Sequence, residues 1–437
     1  MGCGGNMKKM TAIIVAIIMV LLFIACSSSN SSSSSGNNDG PTGIATGLIR
    51  AFVPSGSDIV SPLPDRIFDT GDAYVFLTGA EQCSQLPSDN PCTGSASLVR
   101  VQMSSTVATT RTDFPDFFAF HLERLSNGYL VTGERPGASG PEGYTALISE
   151  NGTVQSETYI DSLPAISAAS SGSDNLLLFG DDEGTARFIF TGMDLSIQWQ
   201  RTYQNEWDPV LAEGETLAIR SAVDVVDDSD ASYVALASVV KSNSIKLIRG
   251  IALLRIEPAG SVVWARAFYP AEENLVWQAK RLLLKPDGTM LIVYGMDDLT
   301  TDSHAAVFLM VDAEGDPIWN FSTSASSNRC NAVMLSDGSS VIAWPTWRTG
   351  QLEGTAWDFY IDLNVAKLDA QGNMLWQRKF TDLFDAIEPT AISISNDGGI
   401  LVVGYYRGFE GTATAQDDSR GVYLLKLDAN GNCPDCS

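Results

Sequence analysis

The sequence predicts an all-β fold, a β-propeller of seven four-stranded blades, and three observations indicate it. Short runs rich in valine, isoleucine, leucine and aromatic residues follow one another along the chain, as is typical of strands. Asn-Gly and Asp-Gly pairs such as Asn127-Gly128 and Asp337-Gly338 separate runs and favour tight hairpin turns. The pattern also recurs with a period near that of a propeller blade.

The repeat is clearest where a third apolar run turns at an Asp-x-x-Gly element into a fourth run that carries tryptophan. The glycines of four gap-free copies, Gly260, Gly315, Gly372 and Gly431, lie 55, 57 and 59 residues apart. The tryptophans that recur in register are Trp199, Trp264, Trp319 and Trp376. We expect these rings to pack between blades. The second strands of the seven units are expected near Phe76, Val131, Leu178, Leu236, Val293, Ile342 and Val402.

This blade motif resembles that of quinoprotein-type, WD40-like propellers, and the resemblance covers residues 43–437. It implies the architecture and says little about the ligand. Quinoprotein chemistry would need adjacent cysteines, whereas Cys330 stands alone. No cofactor is therefore expected.

The two ends of the repeat region fit together. The last unit stops at Gly431-Asn432, before its fourth strand, whereas an unmatched strand, Leu48–Phe52, precedes the first unit. Residues 46–53 are therefore expected to complete the last blade and close the ring, which removes exposed sheet edges.

The N-terminus predicts a targeting segment over residues 1–26. Lys8 and Lys9 precede an apolar run, Thr11 to Ile24, that is short for a membrane span, and Ala25-Cys26 follows. These residues resemble the lipobox of bacterial lipoproteins, which implies cleavage before Cys26 and acyl chains on its sulfur. An uncleaved signal anchor is the alternative.

Residues 27–42 contain serine, asparagine and glycine with no large apolar side chain, so they predict a flexible tether. Ser27 after the lipidated cysteine resembles the outer-membrane sorting pattern. The expected location is the cell envelope, at the outer membrane, with the periplasmic and cell-surface sides both open. The membrane is reached through the acyl chains on Cys26.

Five cysteines follow Cys26 in the sequence. An oxidising compartment favours pairing of close neighbours, so Cys83–Cys92 and Cys433–Cys436 are predicted disulfides, and Cys330 is expected to be free and buried. The second pair could instead form a redox or zinc half-site, but the sequence has no second cysteine pair or nearby histidine to complete zinc coordination.

The net charge of −25 excludes nucleic acid as a partner. His121 is expected in a first strand that lines the central channel, with a structural role favoured. His304 follows a loop with several aspartates that are better interpreted as turn formers than as metal ligands. The lone aspartates Asp312, Asp369 and Asp428 are likewise expected in turns. We predict no metal site.

Aromatic residues outside the repeat register predict the ligand face. They cluster in two long segments between second and third strands, Trp344 to Leu363 and Tyr405 to Gly421, which are expected to be loops. The candidate site residues are Trp347, Trp357, Tyr405, Tyr406 and Phe409. Aromatic rings among acidic residues suit a sugar or a basic peptide, although the same rings could fold inward as caps.

The function expected from the sequence is a lipid-anchored extracytoplasmic binding or scaffolding module with a protein, peptide or carbohydrate ligand. Two alternatives stay open: a hydrolase or lyase that uses carboxylates in the central funnel, and a subunit of an envelope assembly complex. No motif identifies catalytic residues.

Overall fold

The protein consists of β-strands, most of which pair with the next strand along the chain. This follows from the sequence, because short runs of β-branched and aromatic residues alternate with tight turns. The structure is a computed structural model. It describes residues 47–52, 59–61, 66–82, 93–102, 108–115, 117–137, 140–160, 163–172, 174–182, 184–228, 232–243, 246–351, 357–381, 386–409 and 418–433.

The first part of the chain contains β1 (Gly47–Phe52), β2 (Ile59–Ser61), β3 (Ile67–Asp69), β4 (Ala73–Gln82), β5 (Thr93–Gln102), β6 (Ala108–Pro115), β7 (Phe118–Leu125), β8 (Gly128–Pro136), β9 (Pro141–Ser149), β10 (Val154–Ile160), β11 (Ala168–Ser171), β12 (Asn175–Asp182), β13 (Thr185–Gly192) and β14 (Ile197–Tyr203). A 3-10 turn at Asn205–Trp207 follows.

The second part contains β15 (Thr216–Asp228), β16 (Ser232–Ser242), β17 (Leu247–Ile256), β18 (Val262–Phe268), β19 (Leu275–Leu284), β20 (Met290–Asp298), β21 (Ser303–Val311), β22 (Pro317–Ala325), β23 (Asn331–Met334), β24 (Ser340–Gln351), β25 (Trp357–Leu368), β26 (Met374–Phe380), β27 (Ala386–Ile394), β28 (Ile400–Phe409) and β29 (Asp418–Leu427).

Within the described residues these strands form five sheets. Two are four-stranded meanders, β7 to β10 and β11 to β14, and a third joins β4, β5 and β6 with the short strands β2 and β3. The other two have eight strands each, and each divides into two four-stranded halves. The halves are joined by one parallel residue pair, Arg249 with Val276 or Ile361 with Ala386.

The expectation of an all-β, propeller-like fold is confirmed, because the repeated unit is an antiparallel four-stranded meander. The residues expected in second strands lie in β4, β8, β12, β16, β20, β24 and β28. No helix among the described residues has the length and apolar character that a membrane span requires. The predicted leader and tether, with Cys26, lie outside the described residues.

The strand near the N-terminus pairs with the last strand of the chain. β1 runs antiparallel to β29, with Gly47 opposite Lys426 and Phe52 opposite Val422. β1 therefore occupies the fourth position beside β27, β28 and β29, where the sequence places residues 46–53.

The first and last units also share a core. Tyr74 and Phe76 of β4 pack in one buried cluster with Leu401 and Val403 of β28. The backbone N–H of Asn396 donates a hydrogen bond of 2.8 Å to Asp69 Oδ2. Burial of these large side chains stabilises the contact between sequence-distant units.

The first strands of successive units contact one another in the order of the chain. β7 contacts β11, and the contacts continue through β15, β19, β23 and β27, which in turn contacts β3. The buried clusters lie mainly between adjacent units, as for the cluster that joins β12 and β13 to β15, β16 and β17.

Each in-register tryptophan packs against a turn of the following unit. Trp199 Nε1 donates a 2.8 Å hydrogen bond to the carbonyl of Pro258, and Trp319 Nε1 a 3.0 Å bond to that of Ala370. The glycines that approach the rings of Trp264, Trp319 and Trp376 are Gly315, Gly372 and Gly431. The expected packing between units is confirmed, and these contacts act as joints between neighbouring repeats.

Candidate functional site

The segments predicted as long loops are mostly paired strands, so that expectation is wrong. β24 and β25 stay paired as far as Gln351 and Trp357, and β28 and β29 as far as Phe409 and Asp418. Threonine and aromatic side chains favour extended, paired backbone over loop conformations. The β24–β25 arm, residues 345–351 and 357–363, is the first of the two extensions. Residues 352–356 lie outside the described part of the chain.

One face of the β24–β25 arm carries a buried carboxylate between two cations. Arg348 Nε donates a 3.1 Å hydrogen bond to Asp362 Oδ1, and Lys379 Nζ lies 3.0 Å from Asp362 Oδ2. The Arg348 guanidinium also stands 4.8 Å from the ring centroid of Tyr360. The Asp362 side chain is 1% exposed, so water screens these attractions weakly. They hold the base of the arm in one geometry.

The opposite face of the arm presents Trp347 to solvent. Trp347 pairs with Ile361, and strand alternation places both on the side of buried Leu363. The Trp347 side chain is 51% exposed, whereas Leu363 is fully buried. An apolar row therefore continues from the core to an accessible indole ring.

The other predicted ligand-face residues divide between surface and core. Tyr406 is 1% exposed and packs with Ile387 and Tyr423, so it belongs to the core and corrects the expectation of an exposed ring. Tyr405 is half-buried against the cluster between the first and last units. Trp357 begins β25 and Phe409 ends β28, but their side chains lie outside what the structure describes.

A polar cluster joins the first strands of several units. The Arg66 guanidinium binds Glu123 of β7 and lies 2.9 Å from Asp224 Oδ1 of β15. Asp224 Oδ2 accepts a 3.0 Å hydrogen bond from the Leu282 N–H of β19. His121 is fully buried in β7, with Nε2 3.6 Å from Glu123. Both carboxylates thus share one guanidinium.

Two arginines that the sequence did not single out line a cavity of about 320 Å³. Arg220 lies in β15 and Arg249 in β17, and Trp277 of β19 also lines the cavity. The sequence gives little indication of this cavity, because Arg220 and Arg249 both fall within apolar runs that predict only strands. The structure places them together because β17 and β19 meet at Arg249 and Val276.

The aspartates near His304 make local hydrogen bonds. Asp297 lies 2.8 Å from His304 Nδ1 and accepts a 2.7 Å hydrogen bond from Gln278 Nε2. In the Asp-x-x-Gly turns, Asp369 Oδ1 accepts backbone N–H groups of Gln371 and Asn373 at 2.9 and 2.8 Å. Within the described ranges no group of three or more His, Cys, Asp or Glu residues has the arrangement to hold a metal ion.

Cys330 is free and buried, as expected, and burial raises the pKa of its thiol to about 12. Burial also lowers the pKa of neighbouring Lys280. Cys433 packs at the edge of the core cluster of the last units. Cys83, Cys92 and Cys436 lie outside the described residues, so both disulfides stay predictions.

No family model matches the chain, and no curated protein matches it. Among solved structures, a polysaccharide lyase, Uly1, aligns with 9% identity and a TM-score of 0.49 over 86% of this chain and 92% of the other. The periplasmic gluconolactonase of Pseudomonas aeruginosa aligns with 12% identity and a TM-score of 0.39 over 81% and 96%. A protein of unknown function from Bacteroides caccae aligns with 11% identity and a TM-score of 0.37 over 71% and 93%.

Proposed function

We propose that this protein is a lipid-anchored binding or scaffolding module of the cell envelope. Its ligand, a protein, peptide or carbohydrate, binds the face of the propeller that carries the β24–β25 arm. The observation that carries the proposal is the exposed ring of Trp347 on an arm fixed by the Asp362 ion pairs. A rigid scaffold that presents an accessible aromatic ring is a common basis of recognition.

The architecture within this proposal is a closed ring of seven four-stranded blades. The pairing of β1 with β29 supports it, as do the contacts that run from β7 through β27 to β3. The shared core of Tyr74 and Leu401 is consistent with a first and a last blade in contact. Closure would leave no sheet edge open at this junction.

The anchor within the proposal is the diacylglyceryl group on Cys26, at the outer membrane. It rests on the lipobox resemblance of the leader. Metabolic labelling with a fatty acid, compared between the wild type and Cys26→Ala, tests it. Equal labelling of the two proteins would exclude Cys26 as the lipidated residue.

The binding site is tested by Trp347→Ala, with Leu375→Ala as the control. Leu375 is 56% exposed on β26, close to the 51% of Trp347, so both changes remove accessible apolar surface. We expect Trp347→Ala to weaken binding to glycan and peptide arrays at least tenfold, because a central aromatic contact commonly contributes about 2 kcal/mol or more. Leu375→Ala should bind as the wild type does, and both should keep its melting temperature.

Equal binding by the wild type and Trp347→Ala would remove the arm from the site. The hydrolase or lyase alternative has a specific observation behind it, the convergence of Glu123 and Asp224 on Arg66. Release of sugar from arrayed glycans would favour that alternative. Co-purification of outer-membrane assembly proteins from intact envelopes would favour the assembly-complex alternative.

A further inference from the structure

A second site, independent of the β24–β25 arm, lies where two four-stranded units meet. The arginine pocket is the cavity of about 320 Å³ lined by Arg220, Ser221, Ser238, Val239, Val240, Arg249, Val276, Trp277 and Gln278. Its walls come from β15, β16 and β17 on one side and from β19 on the other. Small-molecule pockets commonly have volumes of about 300–1,000 Å³, so the cavity suits a ligand of roughly one ring.

A β-bulge brings Arg220 into this wall. Ile219 pairs with Val239 and Ser221 with Ser238, which leaves Arg220 as the extra residue of β15. Bulges redirect side chains and are frequent beside functional sites. Arg249 reaches the same cavity from β17, beside the parallel pair that it forms with Val276.

Among the described residues, no acidic side chain pairs with the guanidinium group of Arg220 or of Arg249. In the same part of the chain, neither Arg220 nor Arg249 has a side-chain hydrogen-bond partner. Nearby arginines do have partners, since Arg255 binds Asp228 at 2.5 Å and Arg266 lies 3.3 Å from Asp316. The chain has 52 acidic residues against 27 lysines and arginines, so two unpaired arginines at one cavity are a local exception.

Like charges at one cavity are stabilised by an anion, and a planar guanidinium binds a carboxylate with two parallel hydrogen bonds. The remaining walls offer neutral polar groups and an aromatic ring. Ser238 Oγ accepts a 3.0 Å hydrogen bond from the Ala279 N–H, which leaves its hydroxyl proton for another acceptor. Gln278 donates Nε2 to Asp297, so its carbonyl oxygen remains an acceptor.

Trp277 adds an aromatic wall. Its ring is held by Tyr294 at a centroid distance of 5.0 Å and an interplanar angle of 36°. We infer that the arginine pocket binds an acidic sugar. Arg220 and Arg249 bind its carboxylate, the Ser238 and Gln278 side chains hydrogen-bond its hydroxyl groups, and the sugar ring packs on Trp277.

The test is calorimetric titration of the full chain with D-glucuronate, with D-glucose as the neutral match and sulfate as the simple anion. We expect D-glucuronate to bind and to bind more tightly than either comparison compound. Arg220→Gln and Arg249→Gln should each weaken D-glucuronate binding about tenfold or more, as expected for hydrogen bonds to a charged group. Added salt should weaken binding further, because the attraction is ionic.

Arg266→Gln is the matched control, since it removes a surface arginine from the same half-sheet without touching the pocket. It should bind D-glucuronate as the wild type does, and the melting temperatures of all variants should agree with the wild type. Absence of D-glucuronate binding to the wild type would overturn the inference. The inference would also be overturned if Arg220→Gln and Arg249→Gln both bound D-glucuronate with wild-type affinity, or if the wild type bound D-glucuronate and D-glucose equally well. Sulfate binding as tight as that of D-glucuronate would overturn the sugar assignment. These outcomes do not depend on the β24–β25 arm, so they test the arginine pocket separately from the proposed function.

Discussion

At the scale of single residues, charged side chains contribute where they join distant parts of the chain. Lys426 of β29 binds Asp397 at the turn between β27 and β28, and its ammonium stands 5.9 Å from the ring centroid of Tyr74 in the first unit. The Lys426 side chain is 5% exposed, so the Asp397 carboxylate compensates a nearly buried positive charge. Arg66 makes a comparable connection between Glu123 and Asp224.

The Asp397–Lys426 pair predicts an acid-sensitive contribution to stability. Burial would raise the pKa of Asp397, but hydrogen bonds from Lys426, Ser395 and Gly399 together lower it to about 2. A lowered folded-state pKa stabilises the protein above the unfolded-state value, about 4, and this stabilisation is lost as the pH falls toward 2. Asp397→Asn should therefore lower the melting temperature at pH 7, and the difference should shrink between about pH 4 and pH 2.

The control is Asp337→Asn, which changes the corresponding turn between β23 and β24. The Asp337 side chain is 60% exposed and 3.7 Å from Lys367, so solvent screens this pair. Thermal melts by circular dichroism across pH should show a smaller effect than for Asp397→Asn. A difference between Asp397→Asn and the wild type that does not change with pH would contradict the assignment.

At the scale of secondary-structure elements, the joints between units depend on the turn after each third strand. Gly372 follows Asp369 with φ of +82°, and the N–H of Gly372 donates a 3.1 Å hydrogen bond to the Asp369 carbonyl. A Cβ at Gly372 would lie 2.7 Å from Trp319. The glycine therefore serves both the backbone conformation and the close approach of the preceding unit's indole.

Gly372→Ala and Gly398→Ala separate these two roles. Gly398 has a similar φ of +81°, but no atom lies within 4 Å of the added Cβ. Gly398→Ala should lower the free energy of unfolding by about 1–2 kcal/mol, the cost of the left-handed conformation. Gly372→Ala should lower it by about 1–3 kcal/mol more, because Trp319 must move. Urea unfolding measures both, and equal losses would mean that the Trp319 contact contributes no stability.

The sequence predicts these joints well and the arm poorly, for a physical reason. Gly315, Gly372 and the four in-register tryptophans make the same kind of contact between adjacent repeats, so the requirement recurs along the chain. The β24–β25 arm occurs once and has no period. Tyr406 was expected at the surface because the segment Tyr405 to Gly421 was interpreted as a long loop, yet Tyr406 pairs with Gly421 within a sheet and its ring lies in the core.

The repeat pattern of the sequence could not reveal the arginine pocket either. Arg220 reaches it through a one-residue bulge, which shifts the alternation of β15, and bulges leave little trace in a pattern of apolar and polar residues. Arg249 is 29 positions further along the chain, and only the meeting of β17 with β19 completes the wall.

At the scale of the whole molecule, contacts between the two ends of the repeat region combine local sheet pairing with long-range packing. β1 covers the edge of β29, whose residues Tyr423, Leu424 and Leu425 are fully buried. Without β1 the N–H and C=O groups along this edge would be open to pairing with another chain.

A chain that starts at residue 53 tests this arrangement against a chain that starts at residue 46. Loss of β1 should lower the melting temperature by on the order of 5 °C or more and increase aggregation, because the edge of β29 and adjacent apolar surface become exposed. Differential scanning calorimetry and light scattering measure the two effects. Identical melting temperatures would show that β1 is dispensable for the stability of the fold.

The joints also bear on how such a chain can arise and change. A unit with an in-register tryptophan and an Asp-x-x-Gly turn takes part in two joints. Its glycine contacts the tryptophan of the preceding unit, as Gly315 does, and its tryptophan contacts the turn of the following unit, as Trp319 does. Tandem duplication of the corresponding coding segment would supply both halves of a new joint at once, without compensating changes elsewhere. Hairpins such as the β24–β25 arm lie outside these joints and can lengthen in one copy alone. Genetic drift can therefore make repeats diverge in length and surface while the same few positions keep them assembled.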